Sequence, residues 1–233
     1  MTFKQLFDIE SSTYTYFITD DNHQAIIIDP VAAHVDDYQA LLKKHDCVLK
    51  YVLETHVHAD HITGGGLLRQ ATGAQIGVGQ SCGAQAADMQ LNHGDEIPFG
   101  GINIQVIATP GHTPGSLSFL LGERLFTGDS LLINGCGRTD FQGGDAGTLY
   151  DAITQRLFTL PDETLVYPGH DYQGHWVSCI GQERSINPRL ANKSRDEFIA
   201  IMQQLNLPKP KLIELAVPAN RLCGMPEQHL PHG

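Results

Sequence analysis

Residues 54–65 read ETHVHADHITGG, and three histidines and an aspartate fall between positions 56 and 61. Imidazole and carboxylate are ligands for borderline divalent metals. His56 and His58 are two apart, so an extended chain points both to one side. Asp60 and His61 follow where the chain is expected to turn into a helix, and neighbours at i and i+1 do not share a helix face. These two therefore need not serve the same ion. Among the 12 histidines of the chain, His23, His34, His45, His93, His175, His229 and His232 are expected to be surface bystanders.

Outward from this stretch the chain alternates strands and helices. "TYTYFI" (13–18) and "QAIIID" (24–29) are β-branched and aromatic runs around the turn-like "TDDNH", which predicts a hairpin. Residues 34–45 place Val35, Tyr38, Leu41 and Leu42 at helical spacing. "LKYVLET" (49–55) reads as a buried strand feeding the histidine cluster, and 62–73 as a helix closed by Gly73. Short strands are expected at "AQIGVG", "INIQVIAT", "GSLSFLLG" and "RLFTGD", with helices over 146–160 and 194–208 and a strand at 164–170. His56, His112, Asp129 and His170 each follow an apolar strand and lie in a Gly- or Pro-bearing loop. Loops at strand ends of a rigid scaffold are where binding residues collect, so four such ends are poised to converge. Two sheets sandwiched by helices is the α/β architecture this order suggests.

Composition narrows the partners. A net charge of −11 argues against nucleic acid, whose binding rests on basic patches, and against anionic membrane surfaces. Cys47, Cys82, Cys136, Cys179 and Cys223 are scattered, with no C-x-x-C pair, which argues against a disulfide framework and against a cysteine-rich zinc site. A reducing, cytoplasmic compartment is the expectation. The first residues lack the pattern of a secretory signal, and no apolar run approaches the roughly 20 residues of a spanning helix.

"THVHADH", "TPGHTPGS", "TGDSL" and "YPGHDY", in this order, resemble the metallo-β-lactamase superfamily. The resemblance implies an αββα sandwich, a single domain over 1–233 with a short C-terminal extension, and a metal at one edge of the two sheets. In the dinuclear hydrolases of that superfamily, His56, His58 and His112 would hold one ion, Asp60, His61 and His170 the other, and Asp129 would bridge. Hydroxyacylglutathione hydrolase (glyoxalase II) is one function this implies. A member that only binds metal or a sulfur-carrier partner is a third reading, which the complete ligand set disfavours.

The sequence between and after the ligands points elsewhere. "LLINGCGRTDFQGGDAGTLYDAI" (131–153), "LPDETLVYPGHDYQGHWVSCIGQERSINPRL" (160–190) and "LNLPKPKLIELAVPANRLCG" (205–224) resemble the persulfide dioxygenase branch. Glyoxalase II enzymes resemble "GRTDFQGG" less, and carry a longer helical domain after the position of His170. The dioxygenase resemblance implies one Fe(II) per chain on His56, His112 and Asp129, with His58, Asp60, His61 and His170 supporting. It implies glutathione persulfide and O2 as substrates, and it admits a homodimer and a rhodanese-type sulfur donor. Two histidines and a carboxylate form the facial triad of non-heme iron oxygenases, which leaves open positions for two substrates side by side. Arg138 is expected to hold a glutathione carboxylate, since guanidinium binds carboxylates bidentately; the competing expectation is a loop salt bridge. Tyr172 is a candidate donor to the glutathione backbone, Thr113 a candidate neighbour of the ligands or the start of a turn, and Arg221 a candidate charge near the cleft. Cys136 reads as a small buried hydrophobe rather than a sulfur acceptor.

Overall fold

The pleat of β2 (Thr13–Thr19) sets how the layers face one another. Successive strand side chains point to opposite faces. Tyr14, Tyr16 and Ile18 turn into a core between two sheets, while Phe17 turns the other way, against helices. The computed structural model describes residues 1–225, so His229 and His232 lie outside the described residues.

The first sheet runs, in spatial order, β1 (Thr2–Asp8), β2, β3 (Gln24–Ile28), β4 (Val48–Leu53), β5 (Gln75–Gly79) and β6 (Met89–Leu91). The first three pair antiparallel, which is the expected hairpin extended by β1, and β3 to β6 pair parallel. The parallel steps need crossovers, and α1 (Val35–Lys44) and α2 (Gly65–Thr72) supply two of them. The second sheet runs β12 (Ser178–Cys179), β11 (Leu165–Pro168), β10 (Arg124–Gly128), β9 (Leu117–Leu121), β8 (Ile102–Ala108) and β7 (Glu96–Phe99). The inner faces meet through Ile26, Ile28, Leu53, Phe119 and Phe126. Each fully buried side chain of this kind contributes about 1.5–3 kcal/mol.

Helices cover both outer faces, which completes the αββα sandwich. Val35, Tyr38 and Leu42 of α1 and Leu68 of α2 pack on the first sheet. On the second, Leu149 of α3 (Ala146–Ala152) and Phe198 of α5 (Arg195–Gln203) pack with Ile180, the first residue of α4 (Ile180–Ile186). The helix expected over 146–160 is α3 continued by a π-helical turn at Ile153–Leu157. α6 (Ile213–Arg221) returns to the first sheet, where Cys223 just beyond it joins the helix-side core. No helix among the described residues is long and apolar enough to cross a membrane.

The helix expected over 62–73 starts only at Gly65. Residues 56–64 stay irregular because their polar groups are bonded elsewhere: the Thr63 hydroxyl donates to buried Glu54, and the Thr63 N–H to Asn220 Oδ1 at 2.9 Å. The helix-face separation of Asp60 from His61 therefore does not apply. In the bend, Asp60 Oδ2 lies 2.9 Å from His61 Nδ1.

Candidate metal centre

Both sheets deliver ligand-type side chains to one edge. His56 lies beyond β4, His112 beyond β8, Asp129 directly beyond β10 and His170 beyond β11. Each of His56, His112 and Asp129 offers one donor atom, all within 4.8 Å of one another. Their orientations are fixed from behind. The Thr55 hydroxyl contacts His56 Nδ1 at 3.0 Å, and Asp29 accepts from the Thr55 N–H and hydroxyl, both at 2.7 Å. His112 Nδ1–H donates to the Arg138 carbonyl at 2.7 Å, leaving Nε2 turned toward Asp129 Oδ2 at 3.7 Å. Such outer partners select the tautomer and aim the free nitrogen. The set of two imidazole nitrogens and one carboxylate oxygen suits a divalent transition metal.

Two glycines let these loops approach. Gly128 has a φ of +50°, and a Cβ there would sit 2.4 Å from Thr55 Oγ1. A Cβ on Gly137 would sit 2.1 Å from the Asp129 carbonyl oxygen, to which the Gly137 N–H donates at 2.7 Å. The "GCGR" turn is thus wrapped around both second-sheet ligands.

The remaining histidines of the motif are bound differently. His170 Nδ1 is 2.6 Å from Asp129 Oδ1, and its Nε2 is 3.0 Å from Asp60 Oδ2, so both ring nitrogens are taken by carboxylates. Burial alone would lower the His170 pKa, but the two carboxylates raise it well above the ordinary histidine value. Asp129 is held below the usual carboxylate range: burial opposes this most strongly, and the charge and hydrogen bond of His170, with the nearby His112 and His56, together outweigh it. His56 is pushed well down by burial and by the neighbouring His58, which suits a neutral ligand nitrogen.

His58 is fully buried, with Nε2 3.2 Å from Asp29 Oδ1 and 3.5 Å from Glu54 Oε2. Burial acts to lower its pKa, and these carboxylates reverse that, taking it up to about 10. Its Nδ1 and the Nε2 of His61 are buried without a hydrogen-bond partner. His58, Asp60 and His61 form a second group with donor atoms within 4.8 Å, and Asp29, Glu54 and His58 a third.

The expected substrate contacts are placed unevenly. The Arg138 guanidinium forms the loop salt bridge, with Nε and Nη2 each 2.7 Å from an Asp140 carboxylate oxygen, and it lies over the Phe141 ring. Tyr172 is 73% exposed and stacks on the His170 ring at 6.0 Å. Thr113 is buried and opens a turn, its N–H and hydroxyl bonded to Ser116 Oγ. Arg221 stands exposed at the end of α6, where its charge is felt at Cys82. Cys136 is buried, its Sγ 3.7 Å from Met202 Sδ and its thiol pKa raised by burial. His23, His34, His45, His93 and His175 lie outside the cluster, though His34 is half-buried and paired with Asp8 rather than free on the surface.

Three residues of the centre carry no motif signal. Asn220 donates from Nδ2 to the carbonyls of His58 and His61, at 2.9 and 2.8 Å, besides accepting from Thr63. Thr13 donates to Asp60 Oδ2 at 3.0 Å and lies 3.1 Å from His170 Nε2. Asp29, with a φ of +50°, anchors Thr55 and His58. Asn220 is the immediate neighbour of the Arg221 picked out in the sequence, and Asp29 ends the "QAIIID" strand; Thr13 reads only as a strand residue.

Known proteins place this geometry. The metallo-beta-lactamase superfamily model matches residues 9–81 and 84–170. The chain is 48% identical over 226 residues to the human protein named persulfide dioxygenase ETHE1, mitochondrial, covering 95% of this chain and 88% of that one. It superimposes on the crystal structure of ETHE1 from Myxococcus xanthus with a TM-score of 0.95 at 57% identity, covering 97% of this chain and 100% of the other. Hydroxyacylglutathione hydrolase of Brucella anthropi is 36% identical over 165 residues, covering 65% of this chain and 62% of that one.

Proposed function

The chain belongs to the metallo-beta-lactamase superfamily, and on that premise we propose that it is a persulfide dioxygenase working with one iron(II) per chain on His56, His112 and Asp129. The substrate is glutathione persulfide, oxidised by O2 to sulfite with release of glutathione. With sulfite written as the dianion, one persulfide, one O2 and one water give one sulfite, one thiol and two protons. Both atoms of O2 end on the terminal sulfur, which loses four electrons to O2, and water breaks the sulfur–sulfur bond. Iron, when bound, supplies the redox chemistry that zinc lacks.

The observation that carries the single-ion reading is the state of His170. Both of its nitrogens are engaged by carboxylates, which leaves neither free for a second ion. The chain's own contribution is orientation: Thr55 and the Arg138 carbonyl aim the imidazoles, and His170 holds the Asp129 oxygen that faces away from the donor set. Arg138, by exchanging Asp140 for a substrate carboxylate, and exposed Tyr172 are the proposed thiol contacts, with Thr113 behind His112 and Arg221 as a more distant charge. Residues 1–233 are treated as one domain with a short C-terminal extension. Five unpaired cysteines accord with a reducing compartment, proposed to be cytoplasmic; the mammalian relatives are named mitochondrial. A homodimer and a rhodanese-type sulfur donor remain part of the proposal.

The orphaned nitrogens of His58 and His61 support a second reading, in which another ion on His58, Asp60 and His61 makes a dinuclear thioester hydrolase. Metal analysis of anaerobically prepared protein separates the two. One iron per chain and O2 uptake on glutathione persulfide are expected. Two metals per chain, with thioester cleavage and no O2 uptake, would overturn the dioxygenase.

A further inference from the structure

A line of polar groups leaves the metal centre on the side away from Arg138. Thr13 Oγ1, fully buried, touches Asp60, His61 and His170. Ser11 Oγ lies 2.8 Å from Thr13 Oγ1 and 2.5 Å from Asp8 Oδ2. The other Asp8 oxygen lies 2.9 Å from His34 Nε2. His34, its side chain 36% exposed, lines a cleft of about 470 Å³ together with Asp8, Asp37 and Lys44. Every step is a hydrogen bond, and the line runs from the buried cluster to solvent without a gap.

We propose that this line is the proton exit of the centre, carrying protons from the buried end at Thr13 through Ser11 and Asp8 to His34 and the cleft. The inference rests on the dioxygenase reading, whose balanced reaction releases two protons for each persulfide consumed. Thr13, His56 and His170 are buried, so a proton leaving the centre needs an internal route to water. Hydroxyls suit this role because each is at once donor and acceptor. Once the Thr13 hydroxyl turns from Asp60 toward Ser11, Thr13 Oγ1 takes a proton as its own hydrogen passes to Ser11 Oγ, and the hydrogen of Ser11 passes to Asp8 Oδ2. The Asp8 carboxyl then turns and protonates His34 Nε2, and the ring releases its outer proton from Nδ1 to the cleft. Rotation of the two hydroxyls, return of the Asp8 carboxyl and exchange of the His34 tautomer through cleft water reset the line.

The titratable and charged groups facing His34 are Asp8 from β1 and Asp37, Tyr38 and Lys44 from α1. The Asp8 hydrogen bond, with help from Asp37, raises the His34 pKa above its ordinary value, against burial. Imidazole is the side chain that exchanges protons most readily near physiological pH.

Ser11→Ala cuts the line while keeping the Ser11 N–H on Asp8 Oδ2, and Ser11→Thr keeps the hydroxyl. The full iron-loaded chain is expected to lose on the order of tenfold in kcat with Ser11→Ala, at unchanged iron content. Activity should return with Ser11→Thr or with a high concentration of a small buffer such as phosphate. In the wild type kcat should fall as pH drops through the His34 pKa, because a charged ring accepts no proton; His34→Ala should remove that limb. Nitrogen NMR of the imidazole gives a readout apart from turnover: His34 should titrate above the ordinary histidine range and drop back in Asp8→Asn. An active wild type with Ser11→Ala indistinguishable from it in kcat and pH profile overturns the relay. A wild type without O2 uptake sinks the function instead. In that case too, a His34 whose titration Asp8→Asn leaves unmoved overturns the outer end of the line.

Discussion

At the scale of single residues, the centre separates side chains that aim a proposed ligand from those proposed to face the substrate, and Arg138 is proposed to do both through different atoms. Its carbonyl holds His112, and its guanidinium is bonded to Asp140 and to the Pro208 and Leu207 carbonyls. Only the second role depends on the side chain. Arg138→Ala is therefore expected to raise KM for glutathione persulfide about tenfold, roughly 1.4 kcal/mol, with kcat and iron content unchanged, the pattern of a lost uniform binding contact. The magnitude is modest because a substrate carboxylate must displace Asp140. Steady-state kinetics checks it, and an unchanged KM would remove Arg138 from the binding site. The residues that could be read in advance were those whose chemistry is intrinsic: His56, His112 and Asp129 are ligand types in loops after strands. Thr13 and Asn220 could not be, because an uncharged hydroxyl or amide acquires a role only from the distant chain segment it meets.

Among elements, what could be foreseen follows from length and period. β2, β3, β4, α1 and α5 are long enough, and regular enough in their apolar spacing, to be read from the sequence. β6 and β12, of three and two residues, are too short to show a period. β1 has mostly half-buried side chains as an edge strand, and α6 is interrupted by Pro218. Yet α6 matters most to the metal loop. Asn220 closes three hydrogen bonds to residues 58–63, and the Gly66 N–H donates to the Cys223 carbonyl at 2.8 Å. Asn220→Ala would leave three backbone groups without their partner, each worth about 1–3 kcal/mol when buried. A fall in stability of at least about 3 kcal/mol is expected, together with faster loss of iron to a chelator. If the variant melts like the wild type and holds iron as long, α6 is only a surface appendage.

Over the whole molecule, the proposed ligands would tie together two sheets that otherwise meet through side-chain packing and a few hydrogen bonds, such as the Tyr14 N–H to the Gly169 carbonyl at 2.8 Å. His56 comes from the first sheet, and His112 and Asp129 from the second. An ion held by all three is a cross-link at the edge of the sandwich, and its binding free energy adds to folding stability because the unfolded chain lacks the site. At a free metal concentration a thousandfold above Kd, that addition is about 4 kcal/mol. For a chain of this size each kcal/mol moves Tm by roughly 2–4 °C, so removing the ion is expected to lower Tm by about 8–16 °C. Without the ion, His170 still bridges Asp129 and Asp60, and His58 still faces Asp29 and Glu54, so the metal-free chain should keep its fold and melt cooperatively. Thermal melts of iron-loaded, metal-free and zinc-loaded protein check this together. Zinc is expected to restore the Tm but not the O2 uptake, since the cross-link needs only the donor geometry whereas the oxidation needs a redox metal. Equal melting temperatures with and without metal would show that the ion does not join the sheets.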